Sequence, residues 1–148
     1  MTDATPYRRA IFKRSIGICI ALAPVALAVA SILSDRAPYS SVAGISLASI
    51  SLAIATINVW LSFIRPSFWK YSHGTMDGFR HASGIPGLGT IFAILACVIG
   101  FGSDLSAILA LVALVLDTGG LPWFVWATWS DSSLWDNKIK TIDEQAAS

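Results

Sequence analysis

The sequence predicts an all-α fold, a polytopic membrane helix bundle with four transmembrane helices and both termini in the cytoplasm. Three observations predict it. Long stretches free of charge recur at residues 15–33, 42–64 and 85–101, and a fourth apolar run extends from residue 105. Only 13% of the chain is charged and 55% is hydrophobic, with a mean hydropathy of +0.67; a soluble domain carries about 25% charged residues. Finally, nine of the ten Lys and Arg residues fall in segments that share one side of a four-span layout. A bilayer core about 30 Å thick needs about 20 helical residues, with a range near 17–25. Continuous apolar runs of this length read as helices, because a membrane barrel shows shorter, alternating segments.

The first run, 15–33, follows a basic N-terminus (residues 1–14) that carries Arg8, Arg9, Lys13 and Arg14. Gly17, Ala21, Pro24, Ala28 and Ser31 form a stripe of small residues along it. A second reading competes here. Residues 7–13 loosely resemble a twin-arginine export signal, and Ala28-Val29-Ala30 resembles a signal-peptidase site. The retained helix is preferred, because the apolar stretch is long, Pro24 interrupts it, and the bundle would lose a packing partner.

The second run, 42–64, has Ser41, Gly44, Ala48, Ser51, Ala55, Asn58 and Ser62 at steps of three and four, which places them on one helix face. Lipid offers no hydrophobic drive for helix association, so close approach through small residues supplies it. Such a face suits packing inside the bundle, a second copy, or a partner's helix. The loop before this run carries only Arg36, whereas residues 65–84, read as a cytoplasmic loop, carry Arg65, Lys70 and Arg80. With Lys138 and Lys140 in a polar tail at 131–148, the positive-inside rule orients the chain. His73, Asp77 and His81 in the 65–84 loop have zinc-type side chains at helical spacing, but Gly74 and Gly78 argue against a helix there and no metal is expected.

The third run, 85–101, opens on Gly84-Ile85-Pro86-Gly87-Leu88-Gly89, where proline suits a helix's first turn. A five-residue link, Gly100 to Asp104, then forces an antiparallel hairpin. The fourth run, 105–129, has 25 residues, about 37 Å as a helix. It holds the one charge within any run, Asp117, closely followed by Gly119, Gly120 and Pro122. Either the helix spans to residue 129, tilted or broken, or the span ends near residue 122 and the remainder lies along the interface. The second layout is preferred, since these residues weaken a helix and Trp123, Trp126 and Trp129 suit an interfacial anchor.

A carboxylate at the centre of a span costs about 2.5–3.5 kcal/mol on insertion scales. Each neighbouring Leu, Ile or Val returns about 0.3–0.6 kcal/mol, so the segment tolerates Asp117 if it faces the bundle. Thr118 and Asn58 are candidate hydrogen-bond partners. The site reads either as a polar clamp between helices or as a proton or cation site.

Other classes are disfavoured. A net charge of +1 leaves no basic face for nucleic acid. Cys19 and Cys97 lie inside apolar runs and do not form a disulfide framework. The sequence holds no nucleophile–base pair, phosphate-binding glycine loop or paired carboxylates that would mark an enzyme, and implies no cofactor.

The stretch 117–124, with 131–136 and Gly84-Ile85-Pro86-Gly87, resembles uncharacterised small bacterial inner-membrane proteins over roughly the C-terminal half. That resemblance implies a four-helix membrane architecture and a multi-pass inner-membrane location. Size and layout are also similar to immunity proteins against pore-forming toxins. Small multidrug transporters share the helix count, but their membrane carboxylate lies in the first helix, where this chain has none. Two functions are therefore expected in order: a non-enzymatic protein acting through helix–helix contact (an immunity, assembly or accessory factor) with the bilayer and a membrane partner or second copy, or a small proton-coupled transporter or channel subunit using Asp117.

Overall fold

The computed structural model describes residues 6–80, 82 and 84–130, with side chains described from residue 12. The polar tail at 131–148 and His81 lie outside these residues. The fold is all-helical, 74% helix with no strand among the described residues. In chain order the elements are α1 (Pro6–Ile32), α2 (Ser41–Val59), a π turn (Trp60–Ile64), α3 (Arg65–His73), α4 (Leu88–Ile99), α5 (Asp104–Leu116) and α6 (Leu121–Thr128).

Three helical stretches are long and apolar enough to cross a membrane: Phe12–Ile32, Ser41–His73 and Asp104–Thr128. The third of the four expected spans forms a shorter apolar helix than the others. Residues 85–101 yield only α4, whose 12 residues make about 18 Å of helix, short of a core of about 30 Å. The cause is local. Gly87 takes a left-handed φ of 74° just before α4, a conformation glycine adopts without steric cost. Helix therefore starts only at Leu88, and Gly100 ends it.

The second span differs in the other direction. Helix continues past residue 64, through what the sequence suggested was loop, and stops at His73, where Gly74 caps it with φ 72°. Pro66 accounts for the π turn on the way. It has no N–H, and its ring would crowd the carbonyl four residues back; the chain widens instead, and Arg65 donates to the Trp60 carbonyl. Ser67 Oγ then donates to the Phe63 carbonyl at 2.7 Å.

The interior is built from small side chains. α2 packs most extensively against α4 and α5. The core cluster is Ala28, Ala48, Ala93, Ala96, Cys97, Ala110 and Leu114. A Cβ on Gly44 would stand 2.6 Å from the Gly100 Cα, so backbones meet directly there. Ser51 Oγ donates to the Gly89 carbonyl at 2.7 Å, Ser106 Oγ to the Ala96 carbonyl at 3.2 Å, and Gly102 N–H to Ser31 Oγ at 2.9 Å. The small-residue stripes of α1 and α2 thus face inward. Large apolar side chains such as Ile20, Leu22, Ile57, Val98 and Val115 face outward, an arrangement suited to lipid and a liability in water.

Candidate functional site

The fourth run breaks just after α5, which ends at Leu116, and α6 begins at Leu121. Asp117 makes the break. Its N–H closes α5 on the Ala113 carbonyl at 2.8 Å, and its backbone then leaves the helix at φ −72° and ψ 86°. Its carboxylate Oδ1 accepts from Gly119 N–H at 3.3 Å, and its carbonyl accepts from Gly120 N–H at 2.8 Å. A side chain that bonds the backbone two residues on is a turn-forming device in its own right. Pro122 lies in the first turn of α6, where its missing N–H costs nothing. The break therefore falls at 117–120, ahead of the proline. Thirteen residues of α5 set Asp117 about 20 Å from the Asp104 end.

Asp117 is 1% exposed and reaches across to α2, where Asn58 is equally buried. Asn58 Nδ2 donates to Asp117 Oδ1 at 2.6 Å. The same amide holds the irregular segment ahead of α4: Ile85 N–H donates to Asn58 Oδ1 at 2.9 Å, and Asn58 Nδ2 donates to the Ile85 carbonyl at 3.2 Å. Gly87 N–H adds a bond to the Gly119 carbonyl at 3.0 Å. Non-helical backbone inside a membrane bundle persists only where protein groups satisfy it. Asn58 and the 117–120 break supply those groups to residues 85–87.

Four glycines make the close approach possible. A Cβ on Gly84 would meet Asn58 Oδ1 at 2.5 Å, and one on Gly89 would meet Asp117 Oδ2 at 2.5 Å. Gly119 packs on the Asn58 amide and on Pro86, and Gly120 on Thr90 and Asp117.

The other oxygen of the carboxylate is different. Among the described residues, Asp117 Oδ2 is buried with no hydrogen-bond donor, and Thr90 Oγ1, also buried, has no partner. Sequence reasoning named Asp117 and Asn58, which the structure joins, and marked Gly89 within a glycine cluster, but missed Thr90. The glycine cluster at 84–89 was the available signal, since it marked a place of close approach. Thr118, expected to bond Asp117, instead pairs its hydroxyl with Ser62 at 3.1 Å. Asn58, Ser62, Gly84, Pro86, Thr118 and Gly119 line a cavity of about 160 Å³ beside the clamp.

The three tryptophans of the last segment separate. Trp123 Nε1 donates to the Val115 carbonyl at 3.0 Å, so it also serves the break. The Trp129 ring lies under the Arg14 guanidinium, 5.4 Å from its carbon. Trp126 is 80% exposed. Between α1 and α6 lies an apolar cleft of about 640 Å³ walled by Ile18, Leu22, Val125, Trp126 and Trp129, with Ala21 and Pro122 also lining it. Of the zinc-type residues, His73 ends α3 with its ring stacked on Trp69 at 3.9 Å, Asp77 follows in a turn, and His81 lies outside the described residues. No group of three His, Cys, Asp or Glu side chains that could hold a metal forms among the described residues.

No family model, curated protein or solved structure matches the chain.

Proposed function

We propose that this chain is a small, non-enzymatic integral membrane protein that works through helix–helix contact, as an immunity, assembly or accessory factor for a membrane partner. Both termini lie on the cytoplasmic side of a bacterial inner membrane in this reading, which the one-sided basic residues support. The supporting observation is the unequal packing of the bundle. α2, α4 and α5 close on alanine and glycine, whereas α1 and α6 leave the apolar cleft between them. Small residues between larger walls give a surface that accepts side-chain knobs of another helix. The occupant is a transmembrane helix of the partner. A photo-reactive residue at Leu22 or Val125, in membranes of the producing cell, is expected to give one defined protein adduct. Adducts with lipid alone would reject the reading.

A second reading is favoured by one specific observation, the buried Asp117 Oδ2 with no donor. It makes the chain a small proton-coupled transporter or channel subunit using Asp117. Ion flux in proteoliposomes that Asp117→Asn abolishes would support it; equal flux in the variant and the parent chain would reject it.

A further inference from the structure

We propose that Asp117, Thr90 and the glycine at position 120 form a binding site for one monovalent cation. It rests on the second reading only for the use made of the cation, not for the site itself.

The argument starts from the spot where a side chain on residue 120 would stand. A Cβ there would have three nearest neighbours, all oxygens: Thr90 Oγ1 at 2.9 Å, the Asp117 carbonyl at 3.0 Å and Asp117 Oδ2 at 3.1 Å. Glycine is required there, because a Cβ would press on all three oxygens. Two of the three oxygens, Thr90 Oγ1 and Asp117 Oδ2, are buried and have no hydrogen-bond partner among the described residues. The third accepts one bond from Gly120 N–H, which leaves a lone pair free. A carboxylate, a hydroxyl and a carbonyl of broken helix are the hard oxygen donors that alkali cations take inside membrane proteins.

Charge points the same way. A buried carboxylate is costly unless paired, and the donors to Asp117 are the neutral Asn58 amide and Gly119 N–H. The ionisable groups on neighbouring elements serve elsewhere or lie far along their helices. Arg14 of α1 covers Trp129, and Arg65 of α3 covers Phe79 at 5.3 Å. Lys13 and Cys19 of α1 are exposed, as are Lys70, Tyr71 and His73 of α3. Cys97 of α4 is two helical turns beyond Thr90, and Asp104 stands at the far end of α5. One carboxylate balances one positive charge, and among the described residues no group of three His, Cys, Asp or Glu side chains forms that would hold a multivalent metal.

The test is thermal unfolding of the purified full chain in detergent, in NaCl, KCl, LiCl or choline chloride at equal ionic strength and pH. At least one alkali salt is expected to raise the midpoint by about 5 °C over choline, and the salt that does so identifies the ion. Thr90→Val, which keeps the shape and removes one ligand, should lose most of that shift. Gly120→Ala should lose it by filling the cradle. Asp117→Asn should fold and respond to no salt. In the parent chain, modification of Asp117 by a hydrophobic carbodiimide, read by intact mass, should slow severalfold in the stabilising salt. An identical midpoint in all four salts overturns the proposal, as does a shift that Thr90→Val and Asp117→Asn retain. A midpoint that follows pH alone also overturns it and assigns the compensating charge to a proton. A chain that binds the cation but carries no flux in vesicles keeps this inference and loses only the transport reading.

Discussion

The two sides of this bundle are held by different physics. On one side α2, α4 and α5 bring backbones together through Gly44, Gly100, Ala48 and Ala96, and lock them with Ser51 and the Asn58–Asp117 pair. On the other, α1 and α6 meet around a cleft lined by large apolar side chains, joined by the Arg14–Trp129 stack. The first side has specific geometry and polar bonds that lipid cannot replace. The contacts lining the second are apolar and could be exchanged for lipid or for another helix at little cost, because lipid is as apolar as leucine. The closed side therefore specifies the fold, and the open side is where the proposed partner would dock.

The sharpest way to break that comparison is Asn58→Leu. The substitution removes the donor to Asp117 Oδ1 and both bonds to Ile85 at once. Leaving a buried group without its hydrogen-bond partner costs about 1–3 kcal/mol, and more where the group is charged, so with three bonds lost unfolding in detergent should shift by at least that order and little folded protein should accumulate. If the loss were below about 1 kcal/mol, the polar lock would not be what holds the closed side. Gly44→Ala comes next. Its new Cβ would lie 2.6 Å from the Gly100 Cα, and backbone cannot swing aside as a side-chain tip can. Overpacking of this kind costs about 1–3 kcal/mol. A parent-like midpoint would show that the helices have slack where the structure places contact.

The difference between the two sides also explains what was legible in the sequence. Helical class and the inward small-residue faces follow from hydropathy and from steps of three and four, which are local. Asp117 and Asn58 stood out because polar groups at membrane depth need partners, and Asn58 was, with Thr118, a candidate for Asp117. What could not be read was set by non-local chemistry. Residues 85–87 stay out of α4 because Asn58, 27 positions before Ile85, and the Gly119 carbonyl meet their backbone groups. Nothing local marks Thr90, and only the fold brings it to Gly120 and Asp117. Helix persists through residues 65–73 because a π turn absorbs Pro66, a rescue that propensity rules do not contain.

Ser51→Ala gives a graded check on the closed side. It deletes one buried bond to the Gly89 carbonyl without adding bulk. Interhelical bonds of this kind in membranes average about 0.6 kcal/mol and reach about 1.7. The expected loss is therefore about 1 kcal/mol, well below that of Asn58→Leu. A similar loss from both would mean that Asn58 acts as a single bond and not as the joint of three segments.

The smallest effect on stability is expected from Trp126→Ala, and it carries the most information about the open side. Trp126 is 80% exposed, and its ring makes no hydrogen bond or aromatic contact among the described residues. Exposed positions away from such features change stability by less than about 0.5 kcal/mol, so the midpoint in detergent should stay where it was. The ring nonetheless walls the cleft against α1, and buried tryptophans at contact surfaces often cost about 2 kcal/mol or more of binding when truncated. The protein adduct formed from a photo-reactive Leu22 should therefore fall at least tenfold in Trp126→Ala at unchanged expression. A fall in stability with an unchanged adduct would reverse the assignment, making the α1–α6 side a structural joint of the bundle and leaving the partner's helix to dock elsewhere.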